Sequence, residues 1–213
     1  MSSFFVRAET ACFTGHREIP GPLLSDVRIK TANAIRYAYS QGIRTFLCGG
    51  ARGFDTLAAE EVIAFRNTNP DVRLVIAIPC LSQADKWPAR DRTAYQAVLA
   101  SADERIVLSD KYYNGCMQQR NRYMVDHSSL CLCYLTHFSG GTWSTVRYAM
   151  HEEIAIVNLA MRHDLTVLKE LPCYYISISL SVQKNVSIVH LSPFRHHVSK
   201  KKNTSKLFYR KQR

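Results

Sequence analysis

FLCGGARGFDTLAAE, running from Phe46 to Glu60, decides the fold. A short apolar run ending at Cys48 meets the paired glycines Gly49 and Gly50. A third glycine follows at Gly53, and the stretch from Phe54 to Arg66 then has helical spacing. A strand that turns through glycines into a helix presents backbone N–H groups at the helix N-terminus, and that geometry favours phosphate. The stretch is neither a P-loop, lacking the Gly-Lys-Ser/Thr ending, nor a G-x-G-x-x-G fingerprint. The same grammar recurs in CFTGHR (Cys12 to Arg17) and in CLCYLTHFSGGTWSTVRYA (Cys131 to Ala149). Three such turns at one edge of a parallel sheet make a groove of nucleotide size.

Working outward, strands are expected at 11–14, 43–48, 72–78, 104–108, 130–135 and 154–159. Helices are expected at 23–41, 54–66, 84–101, 116–127 and 142–153. Strict strand–helix alternation implies a doubly wound, mostly parallel sheet with helices on both faces. Ligands of such sheets bind outside the carboxyl ends of the strands, where all three glycine turns fall. Beyond Ala160 the character changes. Tyr174 to Leu191 alternates as one or two strands, a hairpin turning near Gln183–Asn185, and after Pro193 the chain is polar, basic and expected to be disordered. The division is therefore 1–159 as the α/β domain and 160–213 as a basic extension.

The charge follows this division. Of a formal net charge of +11, residues 1–159 contribute +2 (17 Lys+Arg, 15 Asp+Glu) and residues 160–213 contribute +9 (11 and 2). Nucleic-acid affinity, if present, would thus reside in the tail, as a tether, unless the tail is merely solvated. In 213 residues no run of about 18 apolar residues occurs, and the N-terminus lacks a signal-peptide core. No membrane association and a cytoplasmic location are expected. The seven cysteines, mostly inside apolar runs and without a C-x-x-C pair, read as buried thiols; neither a metal nor another cofactor is expected.

The candidate ligand-binding residues come from four segments. Thr14, Gly15, His16 and Arg17 end the first strand; Arg17 offers a planar fork to phosphate, and His16 either donates to phosphate or acts as an acid or base. Gly49, Gly50, Ala51 and Gly53 suit a backbone nest, and Asp55 either caps the following helix or holds a ribose hydroxyl. Gly140, Gly141, Thr142 and Thr145 bring glycines and hydroxyls to a helix start. Arg120 with Asn121 supplies either a ligand-facing cation or a surface ion pair. Trp87 and Tyr95 belong to a ligand-base platform or to an aromatic core. No nucleophile elbow or H-E-x-x-H motif occurs, so the catalytic residues, if there are any, are not identified by spacing.

With these residues in hand, the chain resembles the YspA-like branch of the SLOG superfamily, named for Smf/DprA and LOG proteins. The matching strings are TGHR, GGARGFDTLAAE, Trp87 and Asp91 to Tyr95, Ala102-Asp103, QQRNRYMVD, SGGTWSTVRYA and IVNL, in order over residues 10–159. The resemblance implies a Rossmann-like fold, a nucleotide or ADP-ribose-like small-molecule partner, homodimers, and occurrence in Gram-positive bacteria and their phages. Two relatives imply rival activities. LOG enzymes, phosphoribohydrolases, carry P-G-G-x-G-T-x-x-E with a catalytic Glu; here Ser139 replaces the Pro and no Glu follows at the required place, Glu152 and Glu153 lying further on. DprA-type relatives bind single-stranded DNA, which calls for a basic body that residues 1–159 do not supply.

Overall fold

The computed structural model describes residues 5–160 and, as backbone, residues 175–177 and 190–192. Six strands alternate with five helices: β1 (Thr10–Gly15), α1 (Leu24–Ser40), β2 (Thr45–Cys48), α2 (Phe54–Arg66), β3 (Arg73–Ile78), α3 (Ala89–Ser101), β4 (Glu104–Val107), α4 (Cys116–Asp126), β5 (Leu130–Tyr134), α5 (Gly140–His151) and β6 (Ala155–Asn158). The sheet order is β4-β3-β2-β1-β5-β6, and every neighbouring pair is parallel. The fold is the expected doubly wound α/β sheet. Strands step outward from β1 to β4, and the chain then returns to place β5 on the other side of β1. The β1–β5 seam is the topological switch point, where crevices open at the strand carboxyl ends.

Burial on both faces explains why the strands read as unbroken apolar runs. Ala11 and Phe13 of β1 face one core with Phe46, Leu74 and Ile76, covered by Ile35 of α1 and Val62 of α2. Cys12 points to the other face with Leu47, Val75, Cys131 and Cys133, beneath Met124 of α4 and Val146 of α5. Each large apolar side chain so buried contributes roughly 1.5–3 kcal/mol. The six described cysteines, Cys12, Cys48, Cys80, Cys116, Cys131 and Cys133, are all buried free thiols.

Two local expectations are corrected. Helix α3 begins at Ala89 rather than Ala84, because Pro88 holds the N-cap position with extended backbone (φ −53°, ψ 150°) and Trp87, which precedes a proline, is biased away from helix. Asp55 does not cap α2. Gly53 does so with φ +77°, and the Phe54 N–H donates to the His16 carbonyl at 3.2 Å. A Cβ at Gly53 would lie 2.2 Å from the Arg17 carbonyl oxygen, so this glycine lets the first two loops touch. Gly53→Ala is expected to cost about 1–3 kcal/mol from strain alone; urea unfolding measures it, and unchanged stability would mean the two loops part at no cost.

Among the described residues no helix is long and apolar enough to cross a membrane. Beyond Ala160, β7 (Tyr175–Ser177) and β8 (His190–Ser192) pair antiparallel. The turn expected near Gln183–Asn185 and the basic segment after Pro193 lie outside the described residues.

Candidate functional site

At the switch point three loops converge on one cleft of about 400 Å³. Thr14, Gly15, His16 and Arg17 come from the end of β1, Ala51 from the β2–α2 connection, Asp55 from the first turn of α2, and Gly140, Gly141 and Thr142 from the start of α5. Arg120 and Asn121 of α4 complete the expected residues lining it. Arg17 is exposed at the rim, whereas Asp55 and Arg120 are buried. The opening N–H groups of α5 have no intrahelical acceptors, as at any helix start, so the Gly140–Gly141 wall is a donor wall.

A chain of hydrogen bonds braces the loops from below. The buried Arg120 guanidinium donates through Nη1 to the Gly49 carbonyl and through Nε to Asn121 Oδ1 at 2.7 Å. Asn121 Nδ2 donates to Thr145 Oγ1 at 2.8 Å, which in turn donates to the Gly141 carbonyl at 2.9 Å. The second and third glycine loops are thereby fixed to each other through α4. A Cβ on Gly49 would fall onto the Arg120 guanidinium, so the glycine makes room for the arginine. Gly49 and Gly50 therefore sit beneath the cleft, not on its wall. Their carbonyls accept Gln83 Nε2 at 3.3 and 3.2 Å, and Tyr95 covers Gly50.

Asp55 Oδ2 accepts the Ala51 N–H at 3.2 Å. Burial pushes its carboxyl up to about 6, against the pull of Arg120 and of the Ala51 N–H. A carboxyl raised on folding binds its proton more tightly in the folded state. Its contribution to stability is full below about pH 3.8 and is lost as pH rises through 6. Asp55→Asn is expected to flatten that part of the stability–pH curve by about 3 kcal/mol. Melting curves of both proteins between pH 4 and 7 test this, and parallel slopes would refute it.

The His16 ring stacks on His137 at 3.8 Å with an interplanar angle of 8°. Its Nε2 is buried without a hydrogen-bond partner among the described residues. Burial, then the His137 neighbour, lowers its pKa, favouring the neutral ring.

Of the other expected residues, Thr145 lies in the adjoining groove between α4 and α5, and Gly53 in a third cleft on the α1 side. Arg120 makes no salt bridge among the described residues, so the surface ion pair is not found; it lines the cleft along one edge and also acts as a buried brace. Trp87 and Tyr95 pack on each other edge-to-face at 5.3 Å over the second loop and do not line the cleft. Glu152 sits at the C-cap of α5, the opposite end from Gly141 and about 16 Å away along the helix axis. Thr136, His137 and Ser139 line the cleft without having been anticipated. Their only sequence signal is membership of the Cys131–Ala149 turn, and their role depends on β5 lying beside β1.

The model of the YspA SLOG family matches residues 24–162, well over half of the chain. The chain belongs to this family. The match includes the second and third loops and begins after the Thr14–Arg17 loop. Relatives include UPF0398 protein BH1768 of Halalkalibacterium halodurans, 29% identical over 131 residues, spanning 59% of this chain and 69% of that protein. The SPbeta prophage-derived protein YoqJ of Bacillus subtilis is 32% identical over 116 residues, spanning 49% of this chain and 68% of the relative. In three dimensions the chain is similar to DNA processing protein A of Helicobacter pylori, solved for its single-stranded DNA binding mode. The TM-score there is 0.54 at 17% identity, covering 75% of this chain and 68% of that one. The Streptococcus pneumoniae counterpart gives a TM-score of 0.51 at 16% identity, covering 70% and 49%. At these identities the likeness is one of fold.

Proposed function

We propose that the chain binds a nucleotide or nucleotide-derived ligand of ADP-ribose type at the β1–β5 switch point, as a cytoplasmic sensor or regulatory protein. The observation that carries this reading is the convergence of the β1, β2–α2 and β5–α5 loops on one cleft whose wall is the Gly140–Gly141 helix start. A phosphate seated there meets backbone N–H groups and the exposed Arg17 fork, with the Thr142 hydroxyl beside it. Asp55, on the floor, is the acceptor for a ribose hydroxyl. The buried free thiols support a reducing compartment. Residues 1–159 form the binding domain in this reading and residues 160–213 a basic extension.

Native mass spectrometry of gently purified protein is the test. A co-purified mass matching a nucleotide or ADP-ribose derivative is expected. An empty protein that also fails to bind AMP and ADP-ribose at millimolar concentration would overturn the reading. For the phosphoribohydrolase alternative the carboxylates at hand are Asp55 and Glu18, and release of free base from AMP is its readout.

A second reading, binding of single-stranded DNA, draws on the fold shared with DNA processing protein A and on the +9 of residues 160–213. It requires salt-sensitive DNA binding that disappears on deletion of residues 195–213.

A further inference from the structure

The cleft continues past Gly141. On its α4–α5 side it opens into a groove of about 720 Å³, with Arg17, Met117, Asn121, Gly140 and Gly141 common to both. The groove adds Arg122 from α4 and Arg147 from α5, and no Asp or Glu lines it. Five arginines on other surfaces, Arg28, Arg44, Arg52, Arg66 and Arg73, each pair with a carboxylate. Arg17, Arg122 and Arg147 form no ion pair among the described residues. Three unpaired guanidinium groups along one channel repel one another until an anion arrives, and their planar forks match phosphate.

The aromatic surroundings are also built. Arg122 lies over the Tyr148 ring, 5.5 Å from its centroid. The Tyr148 hydroxyl donates to Asp126 Oδ1 at 2.7 Å, which fixes the ring. Tyr112, 64% exposed, stands on the same groove. Of the acids on the flanking helices, Asp126 accepts that hydroxyl bond, and Glu152 lies beside His151 Nδ1 at 2.9 Å. A phosphate between Arg122 and Arg147 would have an aromatic face beside it for a base.

We propose that this groove is a second anion subsite, so that the ligand is a linear molecule with two separated anionic groups, of dinucleotide length. One phosphate seats at Gly140–Gly141 and the other between Arg122 and Arg147, with Arg17 at the junction. The inference rests on the nucleotide reading of the cleft and names the size and charge of its ligand. A mononucleotide fills the cleft and leaves the groove empty.

Calorimetric titration of the full chain with AMP and with 5′-phosphorylated diadenylate tests this, alongside the double variant Arg122→Gln, Arg147→Gln. Both side chains are exposed, so the variant is expected to fold normally. The wild type should bind the dinucleotide about tenfold or more tighter than AMP, and the variant should lose that advantage while its AMP affinity stays within about twofold. AMP binding with no dinucleotide advantage overturns the subsite and leaves the cleft reading standing. Equal losses for both probes in the variant also overturn it, since general charge and not a second seat would then be at work. Failure of the wild type to bind either probe overturns the subsite, and failure to bind ADP-ribose as well overturns the cleft reading.

Discussion

Arg120→Ala is expected to destabilise the fold by about 2–4 kcal/mol, the scale of losing a charged donor from buried hydrogen bonds. Arg120 is 5% exposed, and its guanidinium binds the Gly49 carbonyl and Asn121. Truncation leaves that carbonyl without its arginine donor and Asp55 without its strongest opposing charge. The Asp55 carboxyl, held down chiefly by Arg120 against burial, should therefore titrate higher still in the variant. Urea unfolding reads the first effect and a carboxyl NMR titration the second. For a chain of this size the melting temperature should fall by about 10 °C. Gly49→Ala attacks the same contact from the other side, because its Cβ takes the place of the guanidinium. The two losses should not add, since each removes the same hydrogen bond. Full additivity would show that Gly49 and Arg120 act separately.

That contact also marks where sequence reading stops. The doubly wound sheet was legible because its evidence is local: apolar strand runs, glycine turns and helical spacing each lie within a dozen residues. The expected boundaries of α2 coincide with those found, since Gly53 and the residues after Arg66 punctuate them in sequence. Gly49 and Gly50 were legible as special positions but not as the floor of the site. The atoms that require them come from Arg120, 71 residues away, and from Tyr95 on α3. His137 was missed for a related reason. It stacks on His16 only because β5 docks beside β1, and strand order is set by how the chain crosses the sheet, which local pattern does not encode. Pro88 is a smaller case: a proline near a helix start suits either the first turn or the position before it, and packing chose the latter.

Gly141→Asp is expected to weaken nucleotide binding by on the order of 100-fold or more, the scale of a like-charge clash at a desolvated contact. The position isolates binding from folding. Gly141 is not among the glycines with positive φ, and nothing lies within 4 Å of where its Cβ would stand. Its carbonyl bond from Thr145 uses backbone and survives the change. A carboxylate in the first turn of α5 should even stabilise the helix, by about 0.3–1 kcal/mol, through the helix dipole. Loss of ligand without loss of melting temperature is thus the expected pair of results, measured by titration with AMP and by thermal unfolding. Gly141→Asn supplies the control. It has nearly the same bulk and no charge, so binding kept by Asn and abolished by Asp assigns the loss to repulsion of an anion at the α5 helix start. Equal losses would assign it to blocked backbone approach, and unchanged binding in both would remove the third loop from the site.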